Sequence, residues 1–154
     1  MKKNTVLSFL ALLPLLALAP RADGQLNCKF TSVTGLNFGS YDVFSASPTK
    51  TTGTISYSCT RVGGVHFMKM DLSTGSGTYT TRTLRSGGNV LNYNLYPDAV
   101  NSQVWGNGTG GTYEYSIDPV DKQVDRLTVY GTIPAGQDVG VGSYTDTITV
   151  TMNF

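Results

Sequence analysis

From Tyr144 the chain reads Tyr144-Thr145-Asp146-Thr147-Ile148-Thr149-Val150-Thr151-Met152-Asn153-Phe154. Ile148, Val150, Met152 and Phe154 take the even positions. Thr or Asn takes the odd ones from Thr145 onward, and Asp146 is the one even exception. Successive side chains of a strand point to opposite faces, so this pattern predicts a strand with one apolar and one polar face. Terminal residues fray unless something ties them down. Such a strand therefore needs a neighbour, supplied by this chain or by another.

Further upstream the pattern repeats. Ile55, Tyr57 and Cys59 alternate with Thr54, Ser56 and Ser58, and Met68, Met70 and Leu72 alternate with Phe67, Lys69 and Asp71. Leu91, Tyr93 and Leu95 form another run, as do Tyr113, Tyr115 and Ile117. Leu127, Val129 and Ile133 share a parity with Gly131 between them. Gly63-Gly64, Gly75-Ser76-Gly77, Gly87-Gly88-Asn89 and the stretches 106–111 and 140–142 separate these runs as turns. No segment has a helical period. Short alternating strands between glycine-rich turns predict an all-β, antiparallel sandwich in one domain, residues 25–154.

Residues 1–24 stand apart. Lys2 and Lys3 precede an apolar run from Val6 to Ala19. That run is shorter than the roughly 20 residues of a membrane span and suits a secretory signal peptide. Ala17-Leu18-Ala19 resembles a cleavage site but would leave Pro20 at the new terminus. Ala22-Asp23-Gly24 is the better small-x-small site, which places the first mature residue at Gln25. A stable membrane anchor is not expected. Residues 1–24 hold Lys2, Lys3, Arg21 and Asp23, so their removal takes the formal net charge from +1 to −1. A chain this close to neutral has no electrostatic footprint for nucleic acid or an anionic membrane. Cys28 and Cys59 are the two cysteines. In an exported chain they are expected to pair as a structural disulfide, worth about 3–4 kcal/mol on the chain-entropy account.

Catalytic signals are weak. His66 is the lone histidine, in an apolar strand pattern with no serine-nucleophile motif beside it. Asp118, Asp121 and Asp125 cluster around Pro119 but lack the glycine and terminal glutamate of a calcium loop, and read as a solvated acidic loop. No catalytic, metal or cofactor site is expected, and the chain reads as a non-enzyme. Tyr93, Tyr96, Trp105, Tyr113 and Tyr115 fall in one stretch. Most read as core. Trp105, in a Gly-Asn-Gly loop, is the candidate surface-binding aromatic, since exposed rings stack on sugars or apolar surfaces.

Whole phrases then become recognisable. Phe38-Gly39-Ser40-Tyr41-Asp42 and Thr52-Gly53-Thr54-Ile55 leading into Cys59-Thr60 resemble the spore coat protein U domain family. So do Leu91-Asn92-Tyr93-Asn94-Leu95-Tyr96-Pro97-Asp98 and Val104-Trp105-Gly106-Asn107-Gly108-Thr109. Val129-Tyr130-Gly131-Thr132-Ile133-Pro134-Ala135-Gly136-Gln137 and Gly142-Ser143-Tyr144-Thr145-Asp146-Thr147-Ile148 complete the resemblance. The family includes Csu-type pilus subunits of the archaic chaperone–usher route. The resemblance implies an immunoglobulin-like sandwich lacking its last strand, which a periplasmic pilus chaperone and then a neighbouring subunit would supply. By the same resemblance, Ile148, Val150, Met152 and Phe154 would form one wall of the open groove and Phe30, in residues 30–33, the other.

A donor extension is not evident. Gln25, Leu26 and Asn27 alone would precede Cys28 and reach roughly 10 Å. The expected product is thus a strand acceptor: a tip or terminal component of a fimbrium, or a coat protein, secreted through the periplasm to the cell surface. Its partners would be the chaperone, an outer-membrane usher and other pilus subunits, and its role adhesion or biofilm formation. The alternative is a stand-alone extracellular module that binds carbohydrate or another surface through its aromatics.

Overall fold

The computed structural model describes residues 25–61 and 66–154. The signal peptide assigned to residues 1–24 and the Gly63-Gly64 turn lie outside the described residues. Eight strands follow one another: β1 (Leu26–Thr34), β2 (Thr49–Arg61), β3 (Met68–Leu72), β4 (Arg82–Ser86), β5 (Asn89–Tyr96), β6 (Tyr115–Ile117), β7 (Val124–Ile133) and β8 (Val150–Asn153). There is no helix among the described residues. The larger sheet has the order β1-β2-β7-β5-β4 and the smaller β6-β3-β8. Every strand ladder is antiparallel.

Alternation explains most of these strands. In β2, Ile55, Tyr57 and Cys59 are buried; in β3, Met68, Met70 and Leu72; in β5, Leu91, Tyr93 and Leu95. Together with Leu127, Val129 and Ile133 of β7 they form one core drawing on both sheets. Such side chains contribute about 1.5–3 kcal/mol each when fully buried, as an upper estimate. Cys28 and Cys59, 31 positions apart, are bonded and are direct register partners on β1 and β2.

Two glycines route the chain after β1. A Cβ on Gly131 would come within 2.5 Å of the Leu36 side chain and 2.8 Å of Phe38, and one on Gly53 within 2.7 Å of the Thr34 carbonyl oxygen. Their bare backbones let residues 34–38 lie against β2 and β7. The Thr51 hydroxyl fixes that crossing by donating to the Asn37 carbonyl at 2.7 Å.

Trp105 corrects an expectation. It is 0% exposed, so it offers no surface for sugars or solid supports. The turn around residues 106–111 folds back on itself, with Gly106 N donating to Tyr113 O at 2.8 Å and Tyr113 N to Val104 O at 2.7 Å. That closure lays the indole 5.5 Å from the Tyr115 ring and lets Nε1 donate to Met70 O at 2.9 Å. Arg82, also fully buried, donates to Trp105 O, Ser73 O and Asn94 Oδ1. Burial holds its guanidinium below the usual arginine range. Of the other aromatics, Tyr93 is buried, Tyr113 and Tyr115 pack half-buried on the core, and Tyr96 is half-buried.

Candidate strand-binding cleft

β1 ends one side of the larger sheet and β8 one side of the smaller. Among the described residues, β1 pairs only with β2, and β8 only with β3. A cavity of about 220 Å³ lies between these edges, lined by Val33 and Thr34 on one side and Ile148 and Val150 on the other. Its floor is core: Ile55, Leu72, Tyr93, Leu95 and Val129. A second cavity of about 840 Å³ lies between residues 36–44 and 139–146, over Leu84, Leu91 and Ile133. Leu36, Phe38, Leu84 and Asp146 line both, so the two are compartments of one cleft. Phe44 and Val141, both almost fully exposed, stand at its outer end.

The walls are extended but mostly outside the ladders. Residues 35–48 belong to no strand, and residues 139–149 touch a sheet through the Arg85–Thr145 bridge and the Ser73 N bond to Thr149 O at 3.0 Å. Side chains hold them in place. The Tyr41 hydroxyl donates to Pro134 O at 2.9 Å and accepts from Gln137 N at 2.9 Å. Gln137 in turn brackets Asn92, accepting from its N–H at 2.8 Å and donating to its carbonyl at 2.9 Å.

Asp146 ties the opposite wall to the core. Its Oδ1 accepts from Ser76 N and Ser76 Oγ at 2.9 Å each and from Thr147 N at 2.8 Å. Its Oδ2 accepts from the Tyr93 hydroxyl at 2.7 Å. Burial, reinforced by that bond, pushes the Tyr93 hydroxyl well above the ordinary tyrosine range. Beyond the cleft, Asp118 pairs with Arg61 at 2.6 Å and Asp121 accepts from Arg61 N at 2.7 Å, which engages both carboxylates in structural contacts.

The wall residues expected from the sequence divide. Ile148 and Val150 line the cleft. Met152 is half-buried on the core opposite Met70, beyond the cavity lining. Phe154 is 59% exposed and follows the last strand. Phe30 is 39% exposed and does not line the cleft. Phe30 pairs with Tyr57, and register shifts between Phe30 and Ser32 so that Val33 pairs with Ile55. Tyr57 and Ile55 are both buried, so the bulge puts Phe30 and Val33 on one face although they are three residues apart. Of the two, Val33 is the one that lines the cavity. Leu36, Phe38 and Val139 were missed; the Leu36-Asn37-Phe38 alternation is a signal, obscured by flanking Gly35 and Gly39.

These features define an all-β sandwich open along one side, with a divided cleft over an apolar floor. The chain belongs to the Spore Coat Protein U domain family, whose profile matches residues 16–151. Over 66 residues, 42% of this chain, it is 42% identical to Protein U of Myxococcus xanthus, a stretch that takes in 34% of that protein's length. Its fold resembles a chain in the crystal structure of the CsuC-CsuE chaperone-tip adhesion subunit pre-assembly complex from the archaic chaperone-usher Csu pili of Acinetobacter baumannii. The TM-score is 0.52 at 18% identity, covering 84% of this chain and 40% of that one.

Proposed function

We propose that this protein is an exported, non-enzymatic structural subunit that is completed by a β-strand from another protein. The observation that carries the reading is the cleft between residues 33–44 and 139–150, with a core floor and two edges whose backbone groups lack ladder partners across it. Unpaired edges and apolar floor are costly in water and prone to wrong pairing. An extended strand with alternating apolar side chains answers both needs, the main chain pairing with an edge and the side chains filling the compartments.

The donor during export is a periplasmic pilus chaperone. In a fibre it is a neighbouring subunit delivered through an outer-membrane usher. The similar fold in the Csu chaperone–tip adhesion subunit complex supports this choice, and a terminal place in a surface fimbrium, serving adhesion and biofilm formation, is the matching role. The stand-alone surface-binding alternative loses its main residue with the burial of Trp105.

The test is production in the periplasm with and without a pilus chaperone. A soluble one-to-one complex in its presence, and aggregate in its absence, is the expected result. A stable, soluble monomer made without chaperone or donor strand would overturn the proposal.

A further inference from the structure

The inward positions of the 139–150 wall are not uniformly apolar. Tyr144, Asp146, Ile148 and Val150 all line the cleft, and Asp146 alone among them is a carboxylate. It is also the residue of that wall that lines both compartments. On one side lie Ile148, Val150, Leu72 and Leu95; on the other lie Leu91, Ile133, Val139 and Tyr144. Four donors fix the carboxylate there: Ser76 N, Ser76 Oγ, Thr147 N and the Tyr93 hydroxyl. Three of them use Oδ1. A carboxylate offers about four lone-pair sites over its two oxygens; Oδ2, bonded among these to Tyr93 OH and packed against Gly75, where an added Cβ would come within 2.1 Å, has lone-pair capacity beyond that bond.

Resting on the reading of the cleft as a strand acceptor, we infer that Asp146 sets the register of the entering strand by requiring a small or hydroxyl-bearing residue at the inward position beside it. An added strand has inward side chains about 6.6 Å apart, and cross-strand neighbours come within about 5 Å of each other. One inward residue of the occupant must therefore sit against Asp146. A Leu or Ile there strips water from a half-buried carboxylate and returns no hydrogen bond, which is unfavourable. A Ser or Thr donates to Oδ2, and a Gly leaves room for water. Purely alternating apolar strands can slip by two residues and keep the same face inward, so pattern alone does not fix register. A carboxylate standing between the Ile148–Val150 cluster and the Leu91–Ile133 cluster does. The occupant is thus an extended segment with two short apolar runs separated by one small or hydroxyl residue at an inward position.

The exported chain is refolded from denaturant with synthetic strand peptides whose inward positions are all Ile, or carry a single Ser moved through each inward position in turn. Dissociation constants are read by competition with a labelled peptide. One Ser position is expected to bind roughly tenfold or more tightly than the others and than the all-Ile peptide. In Asp146→Asn, whose amide keeps the shape and is easier to bury, that preference is expected to shrink severalfold. Equal affinity of the all-Ile peptide and every Ser peptide for the unaltered chain overturns the role of Asp146 and leaves the cleft reading intact. No binding by any peptide overturns both.

Discussion

Tyr57 is fully buried in β2, and its hydroxyl has no hydrogen-bond partner among the described residues. Burial first, then the nearby Asp125 carboxylate and Tyr115, push its pKa from 10.0 to about 12. The unfolded chain ionises this group near 10, whereas the folded chain must keep it neutral. Its contribution to stability is therefore fully present below pH 10 and is lost as pH rises toward about 12. Tyr93, raised as well, acts in the same direction. Tyr57→Phe removes an unsatisfied buried hydroxyl without changing the ring. At neutral pH the variant should be as stable as the parent or up to about 1 kcal/mol more stable. At alkaline pH it should retain on the order of 2 kcal/mol that the parent loses. Urea midpoints measured across the alkaline range check this, and parallel decline of both proteins would refute it. Arg82 shows the limit of reading residues by type. A charged side chain at 0% exposure defies any hydropathy pattern, and its carbonyl partners come from turns that assemble only in the folded chain.

At the scale of elements, periodicity located β2, β3, β5 and β7, because each has a buried face and a more polar one. It missed β4, Arg-Thr-Leu-Arg-Ser, whose buried end is Arg82 and whose one apolar residue is Leu84. It also overextended the last strand: β8 is Val150–Asn153, and Ile148 lines the cleft from outside it. The bulge in β1 was invisible for a different reason, since one extra residue is set by pairing with β2 rather than by local sequence. Pairing of the cysteines was legible and matters for the cleft. β1 is an edge strand held by β2 alone, and the Cys28–Cys59 bond joins the two at direct partners. Replacing both cysteines by Ser should lower stability by about 3–4 kcal/mol and increase hydrogen exchange first in β1. Unfolding titrations and exchange measurements test this. Unchanged stability with unchanged β1 protection would show that ladder and packing alone secure the strand.

Across the whole molecule, phrases far apart in the sequence converge on the cleft. Tyr41 meets Pro134 and Gln137, Gln137 meets Asn92, and Asp146 meets Tyr93. The family phrases therefore build the walls and their supports, and their meaning is tertiary, which explains why periodicity alone did not reveal it. The fold also keeps its apolar floor continuous beneath a side that no strand of the described residues covers. An added strand placing four apolar side chains on that floor could gain about 1.5–3 kcal/mol from each as an upper bound. Ordering the peptide consumes much of that gain. If about 2–4 kcal/mol survives, a domain of this size should melt roughly 8–16 °C higher, at around 4 °C per kcal/mol. Calorimetry of the chain refolded with and without a saturating strand peptide measures the shift. Because the added strand would pair with a free edge, the same sample should slow exchange in Val150–Asn153 while leaving β7, already paired on both sides by β2 and β5, little changed. A melting temperature indifferent to the peptide would mean that the cleft takes no strand, and the unpaired edges of β1 and β8 would then need another explanation.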